Sequence, residues 1–109
     1  MINLARVFPD MRHHVVVAKD AQDQFRKLDG RWRSRLKQEM RTHLERQPKR
    51  ESKSRIKRLR GLRKPQYRMR VGNMRVFYDV NDEINRVEVL GFLDKPDTPK
   101  WLNMYGVRQ

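Results

Sequence analysis

The sequence predicts an α+β domain: a helical hairpin packed on one face of a small, mainly antiparallel twisted sheet, in the order β-α-α-β-β-β. Three observations predict it. A β-branched run, Val15-Val16-Val17, comes first. Apolar residues then recur at helical spacing from Ala21 to Leu44. From Tyr67 onward the pattern switches to strict alternation across a Gly-Asn turn.

The run His13 to Lys19 reads as a buried strand. Asp20 fits an N-cap and Asp23 an acidic first turn for a helix carrying Ala21, Phe25 and Leu28 on one stripe. Asp29-Gly30 is expected to end it, with glycine as the left-handed cap. A second helix sets Trp32, Leu36, Met40 and Leu44 four residues apart and stops at Gln47-Pro48. The segment "SRIKRLRGLRK" reads as an irregular basic connector with one short extended piece, Ile56 to Leu59. Tyr67, Met69 and Val71 alternate with Arg68 and Arg70, Gly72-Asn73 makes a two-residue turn, and Met74, Val76, Tyr78 and Val80 continue beyond it. A turn at Asn81-Asp82 leads to a last strand, Arg86 to Phe92.

The chain of 109 residues suits one domain spanning residues 1–109, with residues 1–12 as an N-terminal extension and residues 96–109 as a C-terminal tail. It has no cysteine, which excludes disulfide and thiolate chemistry, and no apolar run long enough to span a bilayer. Its N-terminus lacks a signal-peptide core, so the expected location is cytoplasmic. Three histidines without acidic neighbours at ligand spacing give no metal site, and no cofactor is implied.

Charge carries the functional signal. Lys and Arg number 27 against 13 acids, for a formal net charge of +14. Between Lys49 and Arg75 twelve basic residues face Glu51 alone, so this stretch holds +11 of the total. Self-repulsion on that scale calls for a polyanionic partner. The pleat sends the apolar residues of the hairpin to the helices and gathers Arg68, Arg70 and Arg75 on the opposite face, with Asp79 and Glu88 too few to neutralise them. Arg55, Lys57, Arg58, Arg60, Arg63 and Lys64 in the connector are candidates for sequence-independent contact with RNA phosphates. Phe77 and Tyr105 are candidate platforms for bases. Trp101 is open to two readings, a stacking surface or a core residue of a tail folded onto the sheet edge.

"LRGL…YRMRVGNMRVFYDV…VEVLGF", following a helical hairpin, resembles the RelE/ParE superfamily of bacterial toxins. More narrowly it is similar to the RelE branch, the ribosome-dependent mRNA endonucleases. The resemblance covers Val15 to Tyr105 and implies a RelE-like fold. It also implies a toxin of a type II toxin–antitoxin module, with a cognate antitoxin, mRNA and the 70S ribosome as partners. The implied reaction is in-line attack of a ribose 2′-hydroxyl on the adjacent phosphorus, giving a 2′,3′-cyclic phosphate. By the resemblance, the family's two hairpin lysines fall on Arg68 and Arg70, and its transition-state arginine on Arg75. The C-terminal arginine read as the acid falls on Lys95. The stacking tyrosine falls on Trp101, with Tyr105 close enough to compete. Arginine is effectively never deprotonated, so Arg68 and Arg70 cannot serve as general bases and the site is expected to act electrostatically. The resemblance leaves two other readings open: a ParE-like toxin that poisons DNA gyrase, and a member that binds RNA or ribosomes with little cleavage.

Overall fold

The computed structural model describes residues 12–109. The reading of residues 1–12 as an extension falls, but for Arg12, outside the described residues. Strand β1 (His14–Val17) leads into helices α1 (Lys19–Arg26) and α2 (Gly30–Glu39). A π-helical turn, Met40–Leu44, extends α2. Two short strands follow, β2 (Ile56–Arg58) and β3 (Leu62–Lys64), and then three longer ones, β4 (Tyr67–Val71), β5 (Met74–Asn81) and β6 (Arg86–Asp94). The chain closes with a 3-10 turn (Lys95–Asp97), helix α3 (Thr98–Tyr105) and strand β7 (Val107–Arg108).

The main sheet has five strands in the order β1-β6-β5-β4-β2, and β3 pairs with β7 in a separate two-stranded sheet. All pairings are antiparallel except β1 with β6. The connection allows that exception: the chain runs through the helical hairpin and the whole meander between β1 and β6, long enough for a parallel pairing. One sheet face packs against the hairpin. Tyr67, Met69, Val71, Met74, Val76 and Tyr78 supply it, against Ala21, Leu36, Met40 and Leu44 from the helical side. The Tyr78 hydroxyl donates to the Pro48 carbonyl at 2.6 Å, which fixes the chain where it leaves the helices.

The structure corrects several local expectations. Asp20 does not cap α1: the N-cap is Ala18, without a side-chain hydrogen bond. Asp29-Gly30 starts a helix instead of ending one. The Asp29 carboxylate accepts from the Trp32 N–H at 2.9 Å, so the aspartate is the N-cap of α2. The π turn also has a physical reason. Residues four apart drift by about 40° per step on a helix of 3.6 residues per turn. An underwound turn carries the stripe back, so Leu36, Met40 and Leu44 all stay buried. The connector is less irregular than its composition suggests, because β2 extends the main sheet and β3 receives the C-terminus. The tail is a helix with a strand after it. Gly72 takes a φ of +58° at the first position of the β4–β5 turn, as a tight hairpin requires.

Candidate functional site

The face opposite the helices is organised in rows by strand register. Arg70 lies directly opposite Arg75, which is in turn opposite Leu93. The next row runs Lys57, Arg68, Phe77, Gly91. Directly opposed residues share a face with Cβ atoms about 4.5–5.5 Å apart, and like charges there are unfavourable. The three predicted arginines are therefore brought together, and among the described residues none of them is paired with a carboxylate.

Their settings differ. Arg70 is exposed, whereas Arg75 is buried at 6% exposure. Its Nη1 donates to the Gly72 and Met74 carbonyls at 2.9 and 3.1 Å, so the hairpin's own turn orients the guanidinium. Burial first, and then the charges of Arg68 and Arg70, lower the pKa of Arg75. Burial followed by Arg70 does the same at Arg68. Both remain cations, because a guanidinium starts so far above neutrality. The Arg68 Nε–H is buried without an acceptor, a donor whose desolvation typically costs about 1–3 kcal/mol. A phosphate oxygen would satisfy that donor and relieve the repulsion together.

Beside the arginines lies an aromatic ladder. Phe77 projects to the arginine face, as the alternation requires, but its ring is fully covered by Trp101, with centroids 5.1 Å apart. Trp101 in turn meets Tyr105 at 5.8 Å. Phe77 thus serves as a floor under Trp101 and offers no free ring face. Trp101 is partly exposed and Tyr105 is 57% exposed. Gly91 makes this possible: a Cβ there would sit 2.8 Å from Trp101 Cζ2, so only glycine lets the indole lie on the sheet. Sequence reasoning missed Gly91, although an isolated glycine inside a strand is a recognised sign of close approach.

The remaining candidates are spread more widely. Lys95 opens the 3-10 turn at the hairpin end of the sheet, its N–H donating to the Asn73 carbonyl at 2.9 Å. Arg55 and Arg58 turn to the helical side. Arg55 Nη1 donates to Glu39 Oε2 at 2.6 Å, and Arg58 lies 5.1 Å above the Tyr67 ring. Lys64 bridges Asp79 and Glu88 at 3.9 and 3.6 Å. Burial is the main reason the Asp79 carboxyl titrates above the usual range. Arg60 and Arg63 are exposed on the β2–β3 loop and β3, away from the triad's rows. Lys57 was expected only as a phosphate contact. Its register opposite Arg68 makes it the titratable amine on that row. Among the described residues no group of His, Asp or Glu could hold a metal ion.

Comparison with known proteins places the fold. A sequence model described as the ParE toxin of the type II toxin–antitoxin system parDE matches residues 15–96. No curated protein matches the sequence. Among solved structures, the archaeal RelE–RelB complex from Pyrococcus horikoshii OT3 aligns at TM-score 0.62 with 26% identity, covering 76% of this chain and 94% of that one. The intact E. coli RelBE toxin–antitoxin complex gives TM-score 0.62 and 25% identity over 75% of this chain and 95% of that one. A mutant of E. coli RelE in the free state gives TM-score 0.66 at 22% identity, covering 85% and 93%, and supports the fold alone.

Proposed function

Since the chain belongs to the RelE/ParE superfamily of toxins from type II toxin–antitoxin systems, we propose that it cleaves mRNA on the ribosome. Its partners in this reading are mRNA, the 70S ribosome and a cognate antitoxin, the last because two of the RelE structures it resembles are toxin–antitoxin complexes. The observation that carries the proposal is the uncompensated triad of Arg68, Arg70 and Arg75 on one sheet face, with a buried and unsatisfied Arg68 Nε–H. In the proposed reaction the sugar–phosphate chain lies across this face. The ribose 2′-oxygen attacks the adjacent phosphorus, its proton leaves to a base, and the 5′-oxygen departs with a proton, giving a 2′,3′-cyclic phosphate. The arginines stabilise the extra negative charge on the phosphorane-like transition state. Lys57 is assigned the proton-accepting role that arginine cannot fill, Lys95 the role of acid, and Trp101 with Tyr105 the stacking of a base.

A lost donor in such a site typically costs about 10²–10³ in rate. The expected outcome is therefore that Arg70→Gln, an exposed position, slows cleavage by about that factor with the fold intact. The test is to induce the protein in cells, mapping transcript 5′ ends and plasmid topology in the same cultures. In-frame cuts in translated messages that disappear with Arg70→Gln support the reading. A second reading, a toxin acting on DNA gyrase, is favoured by the ParE description of the matching sequence model. Relaxed or cleaved plasmid with intact messages would establish it in place of the first.

A further inference from the structure

Beyond the triad, the molecule carries a second concentration of arginine on its helical side. A cavity of 530 Å³ opens where the π turn meets the basic connector, lined by His43, Arg46, Arg50, Ser52 and Arg55 among others. Countercharge is scarce. Among the described residues Arg46 has no carboxylate partner, and Arg50 is held by the neutral Gln47 side chain at 2.8 Å. Among the described residues Glu39 is the single acid paired with any of them. Its Oε2 is already shared between Arg55 at 2.6 Å and His43 Nε2 at 3.1 Å. Ser52 Oγ accepts from the Arg55 N–H at 3.0 Å and lies within 3.4 Å of the Ile56 nitrogen, so its own hydroxyl hydrogen is free to donate. The cavity thus offers three guanidiniums and a hydroxyl donor.

It is also connected to the triad. A second cavity of 230 Å³ is lined by Arg35, Glu39, Arg55, Arg70 and Gly72 among others, so the two cavities share Arg55. The Arg70 N–H donates to the Arg55 carbonyl at 2.7 Å, which brings the end of the connector against β4. Arginines therefore run continuously from the sheet face, over Arg70, to Arg55 and on to Arg50 and Arg46.

We propose that the cavity at Arg46, Arg50 and Arg55 is a second phosphodiester-binding site, which holds the RNA strand after it leaves the arginine face beside Arg70. The inference rests on the RNA-cleavage reading and adds the path of the strand to it. Spaced guanidiniums and a hydroxyl donor contact the phosphate backbone and give affinity without sequence preference.

The test uses 2′-O-methyl RNA, which cannot be cut, so binding is read apart from catalysis. Titrations cover oligomers of about four and about twelve nucleotides, lengths bracketing common single-strand site sizes. The variant is Arg46→Gln/Arg50→Gln, both exposed and neither in an ion pair. Lys27→Gln/Arg31→Gln removes the same charge away from both cavities. The expected result is unchanged binding of the short oligomer. For the long one, the slope of log affinity against log salt falls by about 1.4, two single-strand contacts at about 0.7 each, so the wild type loses about sevenfold more affinity than the variant between 50 and 200 mM salt. Equal slopes for wild type and variant, or an equal fall in the control, would overturn the site while leaving the cleavage reading standing. Variant loss of polyglutamate binding with RNA binding intact would overturn it in favour of an acidic protein occupant. Failure of the wild type to bind either oligomer would remove the RNA reading and this site together.

Discussion

Gly91→Ala tests the arrangement of the site face most directly. An added Cβ would lie 2.8, 3.1 and 3.2 Å from Cζ2, Cε2 and Cη2 of Trp101. Carbon atoms prefer about 3.5–4.0 Å, so the indole must retreat by at least about 0.7 Å. It has little room to slide, because Phe77 lies beneath it and Tyr105 beside it. The retreat must lift α3, whose far end is held by β7 against β3. Forcing a methyl into such packing costs about 1–3 kcal/mol, and loosening the Phe77 stack adds about 0.5–1.5. Against this, replacing glycine stabilises by about 0.4–1 kcal/mol through the unfolded chain, and Gly91 is not among the positive-φ glycines, so no backbone strain intervenes. The net expectation is a loss of about 0.5–4 kcal/mol, confined to the docking of α3 because the core lies on the other face. In a Trp32→Phe background Trp101 is the sole tryptophan. Its emission should shift to the red and its quenching by acrylamide should rise, while urea denaturation reports the stability change. Unchanged emission and quenching, with stability equal to or above the parent, would refute the placement of Trp101 on Gly91.

Other substitutions probe the scaffold. Asp29→Ala removes the α2 cap and should lower stability by about 0.5–2 kcal/mol in denaturant titrations, with Asp29→Ser restoring most of it. Leu36→Ala, at a fully buried position between the helices and the sheet, should cost about 2–5 kcal/mol. Asp82 carries a pH signature. Burial alone would raise its carboxyl, but hydrogen bonds from Lys49 and His13 outweigh burial and hold it below the usual value. A folded pKa below the unfolded value of about 3.9 means stabilisation that is complete well above that pH and lost as pH falls through the folded pKa. The stability gap between wild type and Asp82→Asn should therefore be open near neutral pH and close in stronger acid, as measured by urea midpoints across pH.

The fold was legible where periodicity was clean. Alternation from Tyr67 to Val80 placed the hairpin, its turn and the face of Arg68, Arg70 and Arg75. Spacing from Ala21 to Leu44 placed the helical stripes. Caps were harder to read, because an aspartate before a helix and one after it look alike. Asp29 was assigned to the wrong helix, since Gly30 has a helical backbone here and initiates α2. β2 and β3 were hidden by composition. Their side chains are mostly basic, and what makes them strands is pairing with β4 and β7, which no local pattern reveals. The tail was invisible as a helix because Trp101 earns its position from Gly91, ten residues earlier on a neighbouring strand.

The division of labour between the two sheet faces explains how so cationic a chain folds. Ion pairs that stabilise the domain gather at its seams: Lys49 and His13 on Asp82, Arg55 and His43 on Glu39, Lys64 on Asp79 and Glu88. Each joins segments distant in sequence or caps a junction between them. The hairpin arginines are excluded from that neutralisation, although Glu88 and Asp79 lie on the same sheet face only a few residues along. Bringing either acid beside Arg75 would relieve the repulsion and stabilise the domain. It would also supply internally the negative charge that the arginine face is otherwise free to take from outside. The sheet instead places Phe77, Trp101 and Gly91 between the row of Arg70 and Arg75 and the carboxylates, an apolar spacer that lies beside Arg68. A stability sacrifice localised to two adjacent rows of a sheet, with a barrier along its side, is the physical signature of a surface shaped for an external anion.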